Sequence, residues 1–397
     1  MKTLFLTLRS PYPPQRGDKI RAFNFIRYLA ERGYEVDLVC FAEREEDLDY
    51  IAPLKEYCRK VLMVRFSRPK ALLGAASRLP TRTPLQNGYW FSGKLASIVE
   101  SLISSERYDL VHAQLFRMGQ YVEGYRLPKV LDLTDSLAMN LQRRMRIDRS
   151  PLLPLIALEQ RRVKRFEVDI ASRFDAVIVA SEIDRSYLSH ENPDLKLKVI
   201  PTAIDVDFFR PVDRSRGPVL LFTGTMGYFP NDDAVLFFHR EVLPLVKREI
   251  SDVKFYVVGN NPPPKVKSLE SHGDTVVTGH VEDVRPYFEM ASVFVCPLRS
   301  GSGIQTKNLE AMAMGVPVVT TSLGFEGIEA IPGRDLIVAD TPEDIASEVI
   351  RLLKSPDLRD RIGRNGRRVV EERYSWRVVG QRLVGVYEEV VGRWRSE

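Results

Sequence analysis

Residues Pro297 to Thr321 read PLRSGSGIQTKNLEAMAMGVPVVTT. An apolar run, Val293 to Cys296, leads into them. A glycine-containing loop, Arg299-Ser300-Gly301-Ser302-Gly303, follows. The apolar spacing predicts a helix from about Gln305 to Met314, with Gly315 as its stop and a buried strand at Val316 to Val319. The unsatisfied N–H groups of a first helical turn, and the helix dipole, both favour a phosphate at such a loop. Lys307 falls in that first turn, where a cation opposes the dipole unless an anion is near. Glu310 lies three positions on, on nearly the same face, where a carboxylate suits the two hydroxyls of a ribose. The segment reads either as a cradle for a nucleoside diphosphate or as an ordinary glycine-rich connection before an amphipathic helix.

Outward from this segment, strand and helix signals alternate. Short apolar runs occur at Thr3–Leu8, Val36–Phe41, Val61–Phe66, Leu110–His112, Lys129–Leu133 and Ala176–Ala180. After a proline-rich break at Pro201–Pro218 they resume at Val219–Thr223, Phe255–Val258, Thr275–Thr278, Val293–Cys296, Val316–Thr320 and Leu336–Val338. Helical patterns such as Leu95–Ile103 and Ala234–Lys247 separate them. Buried strands alternating with helices predict parallel sheets covered on both faces. Ligands then sit beyond the carboxyl ends of the strands.

The chain has 397 residues, of which 44% are hydrophobic and 28% charged. That balance excludes a wholly disordered or collagen-like chain. Three scattered cysteines with no CxxC pair support neither a disulfide framework nor a cysteine zinc site. The five histidines never fall at HxxxH spacing, so no metal site is expected. No run of 18 apolar residues predicts a membrane span, and the first apolar run is too short for a signal peptide. A cytoplasmic protein is expected. The formal charge of +5 is mildly basic, and the excess concentrates between Arg143 and Arg165 around the apolar stretch Pro151–Leu158. This pattern fits either a solvated helix face or a peripheral contact with an anionic membrane at its inner face. It lacks the aromatic platform and the motifs of nucleic-acid binding.

The signature LEAMAMGVPVV at Leu309–Val319 resembles the nucleotide-binding helix of family-4 retaining glycosyltransferases. Other segments carry the resemblance along the chain. Asp109-Leu110-Val111-His112-Ala113 resembles the family's D-V-V-H-A strand. Ile200-Pro201-Thr202-Ala203-Ile204-Asp205 with Phe208-Phe209 resembles its linker. Gly279-His280-Val281-Glu282-Asp283 resembles its G-x-V-x-D loop. Gly224 to Asn231, GTMGYFPN, is similar to the G-x-M-x-Y-x-P-N of bacterial sugar transferases associated with exopolysaccharide and protein sorting.

The resemblance implies an α/β protein of the GT-B type, with two Rossmann-like doubly wound parallel-sheet domains facing a central cleft. It implies an N-terminal acceptor domain at 1–200, a linker at 201–217, a nucleotide-sugar domain at 218–375, and a final helix at 376–397 that returns to the first domain. The implied reaction moves a sugar from a nucleotide donor, UDP- or GDP-linked, to a glycan or lipid-linked acceptor in cell-surface or exopolysaccharide synthesis. Configuration is retained, and neither metal nor other cofactor is needed.

By matching position, Glu310 holds the ribose. Ser302, Gly303 and Ile304 offer backbone N–H groups to the diphosphate and sugar. His280, Val281 and Glu282 run beside the base, and Gly17 lets the backbone approach the phosphate or acceptor. Three departures shift the assignment. Ser302 stands where the family often has a first glutamate. Thr225 and Met226 stand where it has an arginine–lysine pair. Gln114 replaces a sugar-facing histidine. Lys307, helped by Arg299, is therefore the expected cation on the leaving diphosphate. His112 and Asp135 are the remaining catalytic candidates, with core packing and a helix cap as their ordinary alternatives. Asp132, Asp18 and Arg21 are further candidates facing the acceptor. Rival readings are a non-hydrolysing nucleotide-sugar epimerase of the same architecture, and a degenerate transferase that binds nucleotide or glycan without turnover.

Overall fold

The structure is a computed structural model. It describes residues 1–14, 16–145, 151–212, 217–301 and 303–396. The chain divides into two compact units: Met1–Thr202 with Val379–Glu397, and Ala203–Val378.

The first unit is built on a seven-stranded sheet of order β3-β2-β1-β4-β5-β6-β7. Its strands are β1 (Lys2–Arg9), β2 (Glu35–Ala42), β3 (Lys60–Arg65), β4 (Leu110–Gln114), β5 (Lys129–Thr134), β6 (Ala176–Val179) and β7 (Leu197–Val199). All pairs are parallel, with Phe5 opposite both Leu38 and His112. Leu4, Phe5, Leu6, Val36, Leu38 and Val39 are all fully buried. Helices therefore cover both faces, as continuous apolar strands require. Each such side chain removed from water contributes roughly 1.5–3 kcal/mol. Strand order reverses between β1 and β4, where doubly wound sheets leave room for ligands.

The second unit holds six parallel strands in the order β10-β9-β8-β11-β12-β13. They are β8 (Val219–Thr223), β9 (Lys254–Val258), β10 (Thr275–Gly279), β11 (Val293–Cys296), β12 (Val318–Thr320) and β13 (Ile337–Val338). Here the order reverses between β8 and β11. The loop and helix quoted first follow β11 directly.

Three details differ from the sequence expectation. The helix after the glycine loop spans Thr306–Ala313, and its following strand starts at Val318, beyond Pro317, which has no N–H to give a ladder. The helix expected at Ala234–Lys247 begins earlier, at Phe229, and is interrupted by a π-helical turn at Phe238–Val242. Pro244, which has no N–H for the preceding turn, explains that widening. The edge strand β7 has only three half-buried residues and is absent from the apolar runs read from sequence.

The last helix, Trp376–Ser396, starts in the second unit and finishes in the first. Val379, Leu383, Tyr387 and Val390 recur at helical spacing and are buried there. Gly380 passes so close to the Tyr28 ring that an added Cβ would lie 2.5 Å from it. Helix Gly17–Glu31, which carries Tyr28, thus packs directly on this returning helix.

Candidate functional site

In the second unit, the loops after β8 and β9 meet backbone to backbone. A Cβ on Gly259 would sit 1.7 Å from the Gly224 carbonyl oxygen, so only glycine permits this approach. The Gly224 N–H donates to the Val258 carbonyl at 3.0 Å. Asn231, in the first turn of helix Phe229–Phe237, is buried above this junction. Its Nδ2 donates to the Thr225 carbonyl at 2.9 Å, and its Oδ1 accepts from Lys307 Nζ at 2.5 Å. The Lys307 ammonium also lies 4.5 Å from the centre of the Phe222 ring. Asn231 and Phe222 therefore fix where this cation stands.

No carboxylate among the described residues pairs with Lys307 at ion-pair distance. Burial pulls its pKa below the usual lysine range, against the opposing pull of Cys296 and Glu310. Glu310 is half-buried, one turn further along helix Thr306–Ala313. Its carboxyl makes no hydrogen bond or ion pair with a described residue. Burial pushes its pKa up to about 7, only partly offset by Lys307. Ser300, at the start of the glycine loop, is buried at 6% exposure with an Oγ that has no hydrogen-bond partner among the described residues. Three polar groups with unmet bonding capacity thus collect on one strand–loop–helix segment, at the carboxyl edge of β11. Buried polar groups are otherwise almost always satisfied.

Around them, Gly303 takes a φ of +78° that favours glycine, and Ile304 is half-buried against the core. Ser302 lies outside the described residues. His280 is exposed after β10, its Nδ1 2.6 Å from Asn260 Oδ1. Val281 packs on the core and Glu282 is exposed. Arg299 does not assist Lys307. Its fork closes on Asp233, at 3.0 and 2.6 Å, and stacks over Phe237 at 4.5 Å.

The first unit is different. His112 is wholly enclosed, stacked on Phe5 at 4.1 Å between ring centres. Its Nδ1 is 2.9 Å from the Tyr387 hydroxyl, and its Nε2 is 3.8 Å from Asp132 Oδ2. Burial lowers its pKa to about 4, Asp132 opposing, so the ring is neutral at ordinary pH. Arg21, also fully buried, donates to Asp132 from Nε at 2.7 Å and Nη2 at 3.1 Å, and from Nη1 to the Pro201 carbonyl at 3.0 Å. This enclosure corrects the expectation that His112, Arg21 and Asp132 meet a substrate: all three are sealed inside the unit. The ordinary alternative for His112, a packed core residue, describes it.

Other candidates do reach the carboxyl edge. Gly17 is exposed at the start of helix Gly17–Glu31, and an added Cβ there would touch nothing. Nothing in the protein itself demands glycine at that position. Asp18 pairs with Arg9 at 3.0 Å, and its carbonyl accepts from Gln114 Nε2 at 2.9 Å, so Gln114 anchors the helix start. Asp135 is half-buried after β5 and makes no hydrogen bond with a described side chain. Burial first, then the charges of Asp184 and Asp132, push its pKa up to about 7, against Arg21.

Two neighbouring residues hold conformations that bulky side chains avoid: Thr134 at φ +63° and Leu115 at φ +68°. Such strain costs on the order of 1–3 kcal/mol each and gathers at functional edges. Beside Leu115, Arg117 is half-buried over the Phe116 ring, its Nε sealed without a partner among the described residues. Asn231, Ser300 and Arg117 were not singled out as site residues from sequence. Only Asn231 had a signal, the last position of GTMGYFPN.

Residues 17–208 match the family model described as Glycosyltransferase Family 4, and residues 217–355 match that described as Glycosyl transferases group 1. The chain belongs to this glycosyltransferase family. An uncharacterized 44.6 kDa protein of the cps region of Klebsiella pneumoniae is 21% identical over 94% of this chain and 96% of its own length. The phosphatidyl-myo-inositol mannosyltransferase of Mycobacterium tuberculosis is 29% identical, over 49% of this chain and 54% of its own. Among solved structures, sucrose-phosphate synthase from Thermosynechococcus elongatus superposes with a TM-score of 0.77 at 17% identity, covering 99% of this chain and all of that one. That likeness places the glycosyltransferase in the GT-B fold class. Among its described residues, no helix is long and apolar enough to cross a membrane, and no cluster of three or more His, Cys, Asp or Glu side chains is placed to hold a metal.

Proposed function

We propose that this glycosyltransferase takes a sugar from a UDP- or GDP-linked donor and passes it, with retention of configuration, to a glycan or lipid-linked acceptor of the cell surface. The observation that carries the reading is the trio of Lys307, Glu310 and Ser300, all with unmet bonding capacity beside the glycine loop. Glu310 takes the ribose hydroxyls. The N–H groups of Gly303 and Ile304 serve the diphosphate and sugar; Ser302, given the same role by the resemblance, lies outside the described residues. The main chain at His280, Val281 and Glu282 runs along the base. Lys307, already held by Asn231, meets negative charge as it builds on the departing phosphate oxygens. A fixed cation and fixed dipoles need no rearrangement at that moment, so they act without a metal. Asp135 and Gly17 belong to the acceptor side. Burial and the neighbouring Asp184 charge raise the pKa of Asp135, which suits it to hold a proton that an exposed carboxyl would lose. The related names, a cps-region protein and a phosphatidyl-myo-inositol mannosyltransferase, support a surface polymer or lipid-linked acceptor.

A thermal-shift screen of nucleotide sugars, followed by a transfer assay with anomeric analysis of the product, tests this. Stabilisation by no nucleotide sugar would overturn it, and an epimerised donor without transfer would favour the epimerase.

The helix Leu153–Ala171 sets exposed Leu155 and Leu158, with Leu152 just before it, beside exposed Arg161 and Arg165. Arg146 and Arg149 of the same basic stretch lie outside the described residues. We infer weak, salt-sensitive adsorption to the inner, anionic face of a membrane, since each basic residue near such a surface contributes about 1 kcal/mol. Flotation with anionic vesicles should show binding at low salt that high salt abolishes. No binding at low salt leaves a solvated face.

A further inference from the structure

A pocket of about 260 Å³ opens at the carboxyl ends of β2 and β3, and none of the candidate residues named above lines it. Its wall is aromatic. The Phe66 ring sits 5.8 Å from Phe41, 5.5 Å from Tyr89 and 4.5 Å from Trp90 behind them. Phe91, half exposed at 52%, lies flat against Tyr121, their rings 6.0 Å apart and only 3° from parallel. Its charged lining is of one sign: Arg65, Lys70 and Lys94, and no carboxylate. Arg65 is paired with Glu45 at 2.8 Å. Lys70 and Lys94 are exposed and make no hydrogen bond or ion pair with a described residue.

An aromatic wall and unpaired cations ask for a ligand with an apolar face and an anionic edge. Pockets for drug-sized ligands run from roughly 300 Å³ upward, and this one, somewhat smaller, suits a compact ligand such as one ring. A sugar ring presents its C–H face to aromatic rings, and a carboxylate or phosphate on its rim would meet two ammonium groups. We propose that this pocket binds one anionic sugar residue of the acceptor glycan and so selects acidic acceptors. The proposal rests on reading the first unit as the acceptor-binding one. Discrimination comes from the charges, because a neutral ring meets the same aromatic wall and leaves the ammonium groups hydrated as before.

The test uses the full chain and three probes: methyl glucuronoside, methyl glucoside 6-phosphate and methyl glucoside. Saturation-transfer NMR reports which rings contact protein, and titration gives affinities. At least one anionic ring should bind tenfold or more tighter than the neutral one, and which of them does identifies the acid. Lys70→Glu combined with Lys94→Glu, both at exposed positions, should abolish that preference. Phe91→Ala should weaken all three probes alike. The proposal is overturned if neither anionic ring outbinds the neutral one, or if the charge-reversed variant keeps the preference. Titration of the same samples with UDP and GDP separates the readings. Nucleotide binding without sugar selectivity removes only this pocket, whereas absent nucleotide binding removes the donor assignment and leaves the sugar result to stand by itself.

Discussion

The two units share a topology, and their motif residues lie at different depths in it. In the first, the residues at the heart of the sheet, Arg21, Asp132, His112 and Tyr387, are buried and turned toward one another. In the second, Lys307, Glu310 and Ser300 sit at the rim with bonding capacity unmet by the protein. A motif histidine is thus packed in the core while a motif glutamate one unit away is left half-buried with no protein partner among the described residues. What separates them is depth: a strand's middle residues face helices, and its carboxyl-end loop faces ligand.

The sharpest way to break this contrast is to cut the buried pair. Arg21→Ala leaves the Asp132 carboxylate enclosed without its partner and should cost about 3–5 kcal/mol of stability, read as a lower denaturation midpoint. A midpoint unchanged from wild type would mean that the interior of the first unit tolerates an unpaired charge.

At the rim of the second unit the loss should appear in rate. Lys307→Ala should lower kcat by a factor on the order of 10²–10³, with a smaller change in KM, since charge builds mainly in the transition state. Asn231→Ala should reproduce part of that loss by releasing the ammonium. An alanine variant with wild-type kcat would remove Lys307 from the chemistry.

Glu310→Ala should weaken nucleotide binding by about 2–3 kcal/mol in a folded protein, the scale of charge-assisted hydrogen bonds. Its pH dependence sharpens the point. Ribose hydroxyls donate to the carboxylate form, and the free protein holds Glu310 at about 7. Affinity should therefore rise with pH through about 7, and Glu310→Gln should flatten the profile. In the nucleotide-free protein the sign for stability is opposite. A carboxyl raised from its ordinary 4.5 favours the fold while protonated, so its contribution is full below about 4.5 and fades as pH climbs through 7.

The smallest effect belongs to Tyr387→Phe. Losing the hydrogen bond to His112 should cost about 1 kcal/mol and leave kcat alone. A large fall in kcat with intact stability would reopen His112 as a group that acts on substrate.

Much of this architecture was legible because parallel strands buried on both faces spell continuous apolar runs. Val219–Thr223 and Val293–Cys296 show this with their ends correct to the residue. The strand β7, Leu-Lys-Val, carried too little apolar signal. The π-helical turn before Pro244 left the apolar spacing looking like one helix. In the site, Lys307 and Glu310 stood out because a cation and an acid follow a glycine loop on one helix face. Asn231, 76 positions away from Lys307, becomes its partner only once β8 and β11 lie side by side. Arg299 looked available because its partner, Asp233, sits on a distant helix. For His112 the sequence leaves two readings, substrate-facing or core, because it shows only a strand position; in the structure Phe5 and Tyr387 of the returning helix enclose it.

That returning helix sets an order of events during synthesis. The sheet of the first unit emerges from the ribosome early, but Val379, Leu383 and Tyr387, which close over it, are made only after the whole of residues 203–378. Until then Tyr28 lacks its cover and His112 its hydroxyl partner. The nascent amino-terminal half must wait, with an apolar face bare, while the other half completes its own core. A premature stop near residue 378 would therefore spare the later-made unit and cripple the earlier one. The same incomplete face leaves that half-finished chain exposed to aggregation until the helix is made.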